Sequence, residues 1–235
     1  MAPNQKSRSA CLWIGIGCVV VLALGAAVVG GITFWGYKKA QEFKDPVARG
    51  RSVGEILGST ELPEGYFPIL GLKVPWVMHF AVLTTEEPRF GDEGNAEASV
   101  ESAEEREFIY VKFLRPMKEA QELEDFFEGR IDDPSVLDDS NIHVDIDEVV
   151  RRGALQLAAF EARYVVTRAR VETNETESEG LTILVSFDCT EDSLTRVGIW
   201  TGPEPVGGVE SGNLVGTPGD ETEIRAFLGH FSVCH

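Results

Sequence analysis

The longest apolar run of the chain lies between Cys11 and Trp35 and contains no charged residue. As a helix, about 25 residues rising about 1.5 Å each extend roughly 38 Å, which is enough to cross the ~30 Å hydrocarbon layer of a bilayer. Trp13 and Trp35 lie near its ends, where membrane proteins concentrate aromatic residues. The pattern therefore predicts a transmembrane helix over residues 11–36, preceded by a polar tail of residues 1–10.

Two other interpretations of this segment fit it less well and stay open. A cleaved signal peptide has an apolar core of about 7–15 residues and a small-residue cleavage site, whereas this core is longer and runs directly into TFWGYKK. A lipid attached to Cys18 would require the apolar run to precede that residue, but most of the run follows it.

Small residues recur along the predicted anchor. Ala23, Ala27 and Gly31 have four-residue spacing, which allows two membrane helices to approach closely. The spacing therefore indicates a helix–helix contact and a homodimer. The alternative is that it reflects only the abundance of glycine and alanine in membrane helices.

The polar stretch after the anchor contains one short helical signal. Asp45 and Pro46 match an N-cap and the first helical position, and a glycine follows Leu57 as a C-terminal cap, so residues 47–57 are predicted to be helical. We assign residues 37–64 to a juxtamembrane linker that contains this helix. The remaining residues, 65–235, form the predicted globular domain.

Apolar runs within the domain predict mostly strands. The predicted strands are residues 74–84, 108–114, 142–146, 154–171 (as one strand or two), 181–189 and 195–200. Residues 116–129 have helical spacing instead, with one face formed by Met117, Ala120, Leu123 and Phe127. An acidic segment rich in small residues, 85–106, is predicted to be a loop.

A terminal helix closes the pattern. Thr217 to Asp220 resemble a capping box, with Thr217 as the N-cap. The apolar stripe that follows is Ile224, Phe227, Leu228 and Phe231. The order of strands, helix, strands and helix predicts an α+β fold, a mainly antiparallel sheet covered by helices, after the N-terminal transmembrane helix.

The chain is strongly acidic, with 21 basic and 39 acidic residues and a formal charge of −18. Five of the basic and two of the acidic residues lie in residues 1–45, so residues 46–235 carry a formal charge of −21. Such a surface repels nucleic-acid phosphates and anionic lipid headgroups, so we expect no nucleic-acid partner. Solubility alone would also explain this charge.

The signals for the orientation of the anchor conflict. Lys6 and Arg8 precede it, whereas more basic residues follow it, namely Lys38, Lys39, Lys44, Arg49 and Arg51. The positive-inside rule would place the domain in the cytoplasm. The cysteine pair described next indicates an oxidising compartment, and we favour an extracytoplasmic domain.

Cys189 and Cys234 form a candidate disulfide. Residues alternate along strand 181–189, so Cys189 ends its core-facing side. Cys234, seven residues after Phe227, is expected on the apolar stripe of the terminal helix. If that helix packs on the same sheet face, a bridge would stabilise the fold by about 2–4 kcal/mol. Free core-facing cysteines are the alternative.

Signals for metal binding or catalysis are weak. Cys189, His230, Cys234 and His235 are zinc-type ligands, but no Cys-x-x-Cys accompanies them, and we expect neither a metal nor a cofactor. No nucleotide-binding, zinc-protease or serine-hydrolase motif is present. The spacing of an acidic cluster does not match a calcium loop, which favours a solvated loop formed by Asp132, Asp133, Asp138, Asp139, Asp145, Asp147 and Glu148.

Two resemblances follow from these residues. The segment CLWIGIGCVVVLALG looks like the N-terminal part of uncharacterised single-pass membrane proteins of myxobacteria-type bacteria. Residues 65–235 are similar in element order to PsbP-like α/β/α sandwiches: GYFPI and VPWVM come early, a helix follows FIYVKFL, and GLTILVSFDC and RVGIW precede a closing helix. The resemblance implies an assembly or binding module and carries over no functional residue.

The sequence thus predicts a membrane-anchored, non-enzymatic module of the cell envelope that contacts the lipid bilayer through residues 11–36 and binds an unknown protein partner. Two alternatives remain. One is an enzyme whose site forms only in the fold, using His79, His143 or the acidic cluster. The other is a sensor subunit that dimerises through its membrane helix.

We expect two arginines within the apolar run to prevent membrane insertion. The variant Val21→Arg/Leu24→Arg adds about 2.5–3.5 kcal/mol per residue to the cost of insertion, whereas Val21→Leu/Leu24→Val keeps the segment apolar. The unaltered chain and the apolar variant should remain in the pellet after carbonate extraction, as measured by immunoblot. Recovery of the unaltered chain in the soluble fraction would contradict the predicted anchor.

Overall fold

The computed structural model describes residues 45–88, 106–117, 120–132, 143–172, 177–190, 192–203 and 214–234. Several predicted features lie outside the described residues: the anchor 11–36 with Ala23, Ala27 and Gly31, residues 89–105 of the acidic loop, His235, and Asp133, Asp138 and Asp139. Residues 46–235 form one compact unit. In the part of the chain that is described, no helix has the length and hydropathy needed to cross a bilayer.

Seven strands form one antiparallel sheet with the spatial order β1-β2-β3-β7-β6-β5-β4. The strands are β1 Phe67–Val74, β2 Met78–Thr84, β3 Glu107–Phe113, β4 His143–Gln156, β5 Glu161–Glu172, β6 Glu177–Asp188 and β7 Arg196–Gly202. Strands consecutive in the chain pair within β1–β3 and within β4–β7, and pairing of β3 with β7 joins the two groups. The predicted α+β class with a mainly antiparallel sheet is confirmed.

Three helices pack on this sheet, namely α1 Pro46–Leu57, α2 Ala120–Phe127 and α3 Glu221–Leu228. They share its two faces because side chains alternate along each strand. On β6, Ile183 and Val185 lie in the core that contains residues of α1 and α3, whereas Leu184 lies in the core that contains Leu123 and Phe126 of α2. The sheet is therefore apolar on both faces.

An aromatic cluster attaches α3 to the sheet. The Phe227 ring stacks on Trp200 of β7 with ring centroids 4.3 Å apart, and it also contacts Tyr66, Phe108 and Phe231 at 4.9–5.2 Å. The indole Nε1 of Trp200 donates a hydrogen bond to Tyr66 Oη at 2.9 Å, so the polar atom of this buried ring is satisfied. The cluster fixes the position of α3 and of the residues that follow it.

Both edge strands of the sheet are irregular. Edge strand β1 carries Pro68, and its register shifts between Pro68 and Leu70. Edge strand β4 shifts twice, at residues 146–148 and 149–151. Bulges and proline interrupt the row of free backbone groups that another strand would need for pairing.

The helix predicted over residues 47–57 is confirmed, with Pro46 as its first residue. Gly58 has φ 64°, and Ser59 N donates to Gly54 O at 2.9 Å, which closes the C-terminus as a glycine cap does. The helix packs on β1 and therefore belongs to the compact unit.

The single strand predicted over residues 74–84 is wrong. Val74 ends β1, residues 75–77 form a turn, and Met78 begins β2. Val77 N donates to Val74 O at 3.2 Å across this turn. The continuous apolar run gave no sign of a reversal except Pro75.

Both later helices are shorter than their periodicity predicted. α2 covers Ala120–Phe127, and Phe126 lies on its buried face together with Leu123 and Phe127. The predicted Thr217 cap is wrong, because the carboxylate of Asp220 accepts from Thr222 N at 3.0 Å and α3 begins at Glu221. The hydroxyl of Thr217 donates instead to Leu214 O, within the preceding turn.

The contact between α1 and β1 depends on Gly71. A Cβ at this position would lie 2.8 Å from Val53 N and 2.9 Å from Ser52 C, both in the backbone of α1. We expect Gly71→Ala to push the helix away and to lower the free energy of unfolding by about 1–3 kcal/mol. Urea unfolding of the full chain in detergent, followed by fluorescence, measures this change.

Gly50→Ala is the matched control in the same helix. A Cβ there would meet Pro68 Cγ at an ordinary 3.8 Å, and alanine favours helix over glycine by about 0.5–1 kcal/mol. This variant should be as stable as the unaltered chain or more so. Equal stability of all three proteins would show that the close approach at Gly71 is unimportant.

Candidate functional site

One end of the sheet brings together a disulfide, a buried ion pair and an exposed turn. It contains the β1–β2 turn, the loop from β6 to β7 and the C-terminal segment, residues 229–234, and we call it the tip end. The strand register brings these parts together, because β2 pairs with β3 at Met78 and β3 pairs with β7 at Arg196. α1 begins at the opposite end, where Gly50 lies beside Pro68.

A disulfide joins Cys189, directly after β6, to Cys234. The Cα atoms are 5.5 Å apart and the residues are 45 positions apart in the chain. Cys189 comes two residues after Phe187, a core residue of β6. Cys234, however, is not on a helix, because α3 ends at Leu228 and the chain continues in a non-helical segment. Both cysteine residues are partly exposed.

Arg196 is the most deeply buried charged side chain at the tip end, with 1% of its surface exposed. Its guanidinium binds the Asp192 carboxylate through two bonds of 2.6 and 2.7 Å. It also donates to the carbonyl oxygens of Leu194, at 3.0 Å, and Val233, at 3.2 Å. A buried guanidinium is tolerated only when its donors are satisfied, so these contacts order the β6–β7 loop and the C-terminal segment around it.

The buried guanidinium changes the titration of its neighbours. Hydrogen bonds from Arg196 lower the pKa of Asp192 to about 2, from an ordinary 3.8. Burial, together with the charge of Arg196, lowers the pKa of Lys112. Burial raises the pKa of Tyr110, whose side chain lies on the same face of β3 as that of Lys112. At neutral pH, the pair Asp192–Arg196 is fully ionised.

Four basic side chains lie in register across four neighbouring strands. The pairs are Lys73 with His79, His79 with Lys112, and Lys112 with Arg196. Residues directly opposite in an antiparallel sheet share a face, and like charges there repel. Acidic residues balance both ends of this cationic row, since Lys73 Nζ lies 3.0 Å from Glu55 and Arg196 binds Asp192.

A cleft of about 250 Å³ lies between α2 and the β6–β7 loop. Its charged lining is already paired within the protein: Arg163 binds Asp188 at 2.8 and 3.2 Å, and Arg196 binds Asp192. Cys189 also lines this cleft.

The β1–β2 turn presents an exposed aromatic side chain. Trp76 is 78% exposed and Val77 is 48% exposed. Trp76 has φ 60°, a left-handed backbone that costs a residue with a side chain about 1–2 kcal/mol. Val77 O accepts from Leu114 N at 2.9 Å, which ties the turn to β3 and places the exposed Arg115 next to it.

The residues named for a site formed in the fold do not come together. His79 lies near the start of β2 at the tip end, whereas His143 begins β4 at the other end of the sheet. In the acidic cluster, Asp132 pairs with Arg152, and Glu148 pairs with Arg168. Within the described ranges, no three histidine, cysteine or acidic residues could hold a metal ion.

Sequence reasoning missed Trp76 and Arg196. Trp76 falls within the strand predicted over residues 74–84, and Pro75 is the only local sign of the turn that exposes it. Arg196 opens an apolar strand after an acidic turn that contains Asp192. A single cation between acidic and apolar residues was the available signal for a buried ion pair.

Comparison of the chain with protein-family models, curated proteins and solved structures finds no match. The resemblances to single-pass membrane proteins and to PsbP-like sandwiches therefore stay predictions. Function must be inferred from the disulfide, the ion pairs and the exposed turn.

We expect the ion pair Asp192–Arg196 to make the stability of the folded protein sensitive to acid. Because the pKa of Asp192 is depressed in the folded protein, its stabilising contribution is complete above pH 3.8 and is lost as the pH falls towards 2. We expect Asp192→Asn to be less stable than the unaltered chain at pH 6, since Arg196 loses its partner, and to approach it in stability near pH 2. Urea unfolding between pH 6 and 2 measures the difference.

Asp147→Asn, at an exposed position of β4, is the control and should follow the unaltered chain at every pH. A constant difference between Asp192→Asn and the unaltered chain from pH 6 to 2 would contradict the assignment of this carboxylate.

Proposed function

We propose that this chain is a single-pass membrane protein whose globular domain lies outside the cytoplasm and binds a protein partner. The proposed contact is the β1–β2 turn, residues 75–77. The observation that carries the proposal is the indole of Trp76, which is 78% exposed on a left-handed backbone. Backbone strain concentrates at functional positions, and tryptophan is enriched among the residues that dominate binding energy.

Elsewhere in the described residues, two features disfavour other ways of binding a partner. Both sheet edges are interrupted by bulges, and β1 also carries a proline, which disfavours binding by strand addition. The charged groups of the cleft are paired with one another. These features support a binding module over an enzyme.

The surroundings of the turn indicate the chemistry of the partner. The domain is acidic overall, yet the exposed Arg115 lies beside Val77, and the partly exposed Lys73 lies one residue before the end of β1. A complementary surface has an apolar pocket that admits an indole and carries acidic groups facing Arg115. Such charges affect mainly the association rate and specificity.

The disulfide supports an extracytoplasmic domain, because disulfides persist in oxidising compartments and are rare in the cytoplasm. The uncharged segment 11–36 supports a membrane anchor. Together they favour a domain tethered on the outer side of a membrane, as the cysteine pair indicated from the sequence.

The proposal can be tested by photocrosslinking in cells that express the chain. A benzophenone amino acid replaces either Trp76 or Val215, which are matched at 78% and 77% exposure. We expect one discrete protein adduct from position 76 and none from position 215. Adding Arg115→Glu should weaken the adduct at least about fivefold by charge repulsion.

Three outcomes would contradict the proposal. They are the absence of an adduct at position 76, adducts to lipid alone, and equal adducts at positions 76 and 215. A lipid adduct would identify the turn as a membrane contact instead.

A further inference from the structure

We infer that the Cys189–Cys234 disulfide is a reducible latch: a dithiol reductant opens it and releases the C-terminal segment, residues 229–234, while the sheet stays folded. This inference goes beyond the proposed function and does not depend on it. It rests on the accessibility of the bridge, on what the segment contacts, and on how the sheet is held without it.

The bridge is accessible from solvent. Cys189 lines the cleft of about 250 Å³, and both cysteine residues are partly exposed. By contrast, Phe231 and Val233, which precede Cys234, are 4% and 1% exposed. Exposed disulfides are in general the labile ones, whereas buried structural bridges resist reduction.

The exchange needs only a dithiol as co-reactant. One thiolate of the dithiol attacks a sulfur of the bridge, forms a mixed disulfide and displaces the other cysteine as a thiolate, which takes up a proton. The second thiol of the reductant then closes its own disulfide and releases the remaining cysteine. The protein gains two electrons and two protons, and the dithiol becomes a disulfide.

Once the bridge is open, the C-terminal segment is still held by Phe231 and Val233, which are buried in the core. Ser232 N also donates to Leu57 O at 2.9 Å, Val233 O accepts from Arg196 Nε at 3.2 Å, and the Phe231 ring stacks on Phe108 at 5.4 Å. The segment lies outside the sheet, and such segments open more readily than strands that are paired on both sides. Strand β7, in contrast, is paired on both sides, with β3 and β6. Opening is therefore local.

Release of the segment changes the surface of the tip end. Val233 O leaves the guanidinium of Arg196, which is 1% exposed in the bridged state and lies opposite Lys112 in the cationic row. Reduction thus exposes the ion pair Arg196–Asp192, which does not involve the C-terminal segment, to solvent.

Hydrogen–deuterium exchange of the full chain in detergent, with and without dithiothreitol, tests the latch. Thiol alkylation followed by mass spectrometry first establishes that Cys189 and Cys234 become reduced under native conditions. We then expect the amide of Ser232 to exchange at least about tenfold faster, while peptides from β3 and β7 keep their protection.

The variant Cys189→Ser/Cys234→Ser is the control and should show the reduced pattern with or without dithiothreitol. The inference fails if the bridge stays oxidised, if exchange at residues 229–234 is unchanged after reduction, or if protection is lost throughout the sheet. The last outcome would make the bridge a requirement of the whole fold.

Discussion

Phe227 lies flat against Trp200, and this stack places α3 on the sheet. Six residues, 229–234, follow α3 in the described part of the chain. They bring the carbonyl of Val233 to Arg196 and Cys234 beside Cys189. The aromatic packing of α3 therefore helps to position both the bridge and the contact with the buried guanidinium. The hydrogen bond from Trp200 to Tyr66 keeps the buried indole satisfied.

Many charged side chains of this domain form ion pairs with one another. Many of its few cations are in contact with a carboxylate of the same chain, as for Arg130–Asp125, Arg151–Glu221, Arg152–Asp132, Arg163–Asp188, Arg168–Glu148 and Arg196–Asp192. Most of these pairs are at least partly exposed and each contributes little to stability. Their collective effect is to neutralise basic groups on a domain of formal charge −21. The exposed Arg115, which follows Leu114 next to the β1–β2 turn, adds a basic side chain there.

Long apolar patterns were predictable from the sequence, whereas reversals within them were not. The alternation in β6 predicted the strand, because Ile183, Val185 and Phe187 recur at every second position. The single strand predicted for the run that contains Trp76 was wrong, because a three-residue turn with a left-handed tryptophan has no glycine or asparagine to mark it. The cap of α3 was misplaced from Asp220 to Thr217 because both residues can cap, whereas the Thr217 hydroxyl donates to Leu214 O instead. The ion pair Asp192–Arg196 had one signal in the sequence, a single cation between acidic and apolar residues, but its burial depends on the path of the C-terminal segment.

The pairing of β3 with β7 has a consequence for how the chain acquires its structure. Each half of the sheet is built from hairpins between neighbouring strands, which form quickly because little chain entropy is lost. The seam between them joins Glu107 to Thr201, so it must wait until residue 201 has left the ribosome. Until then, each half exposes one apolar edge strand without its neighbour, which is a state prone to aggregation. The seam is thus the step at which newly made chains depend most on protection by chaperones.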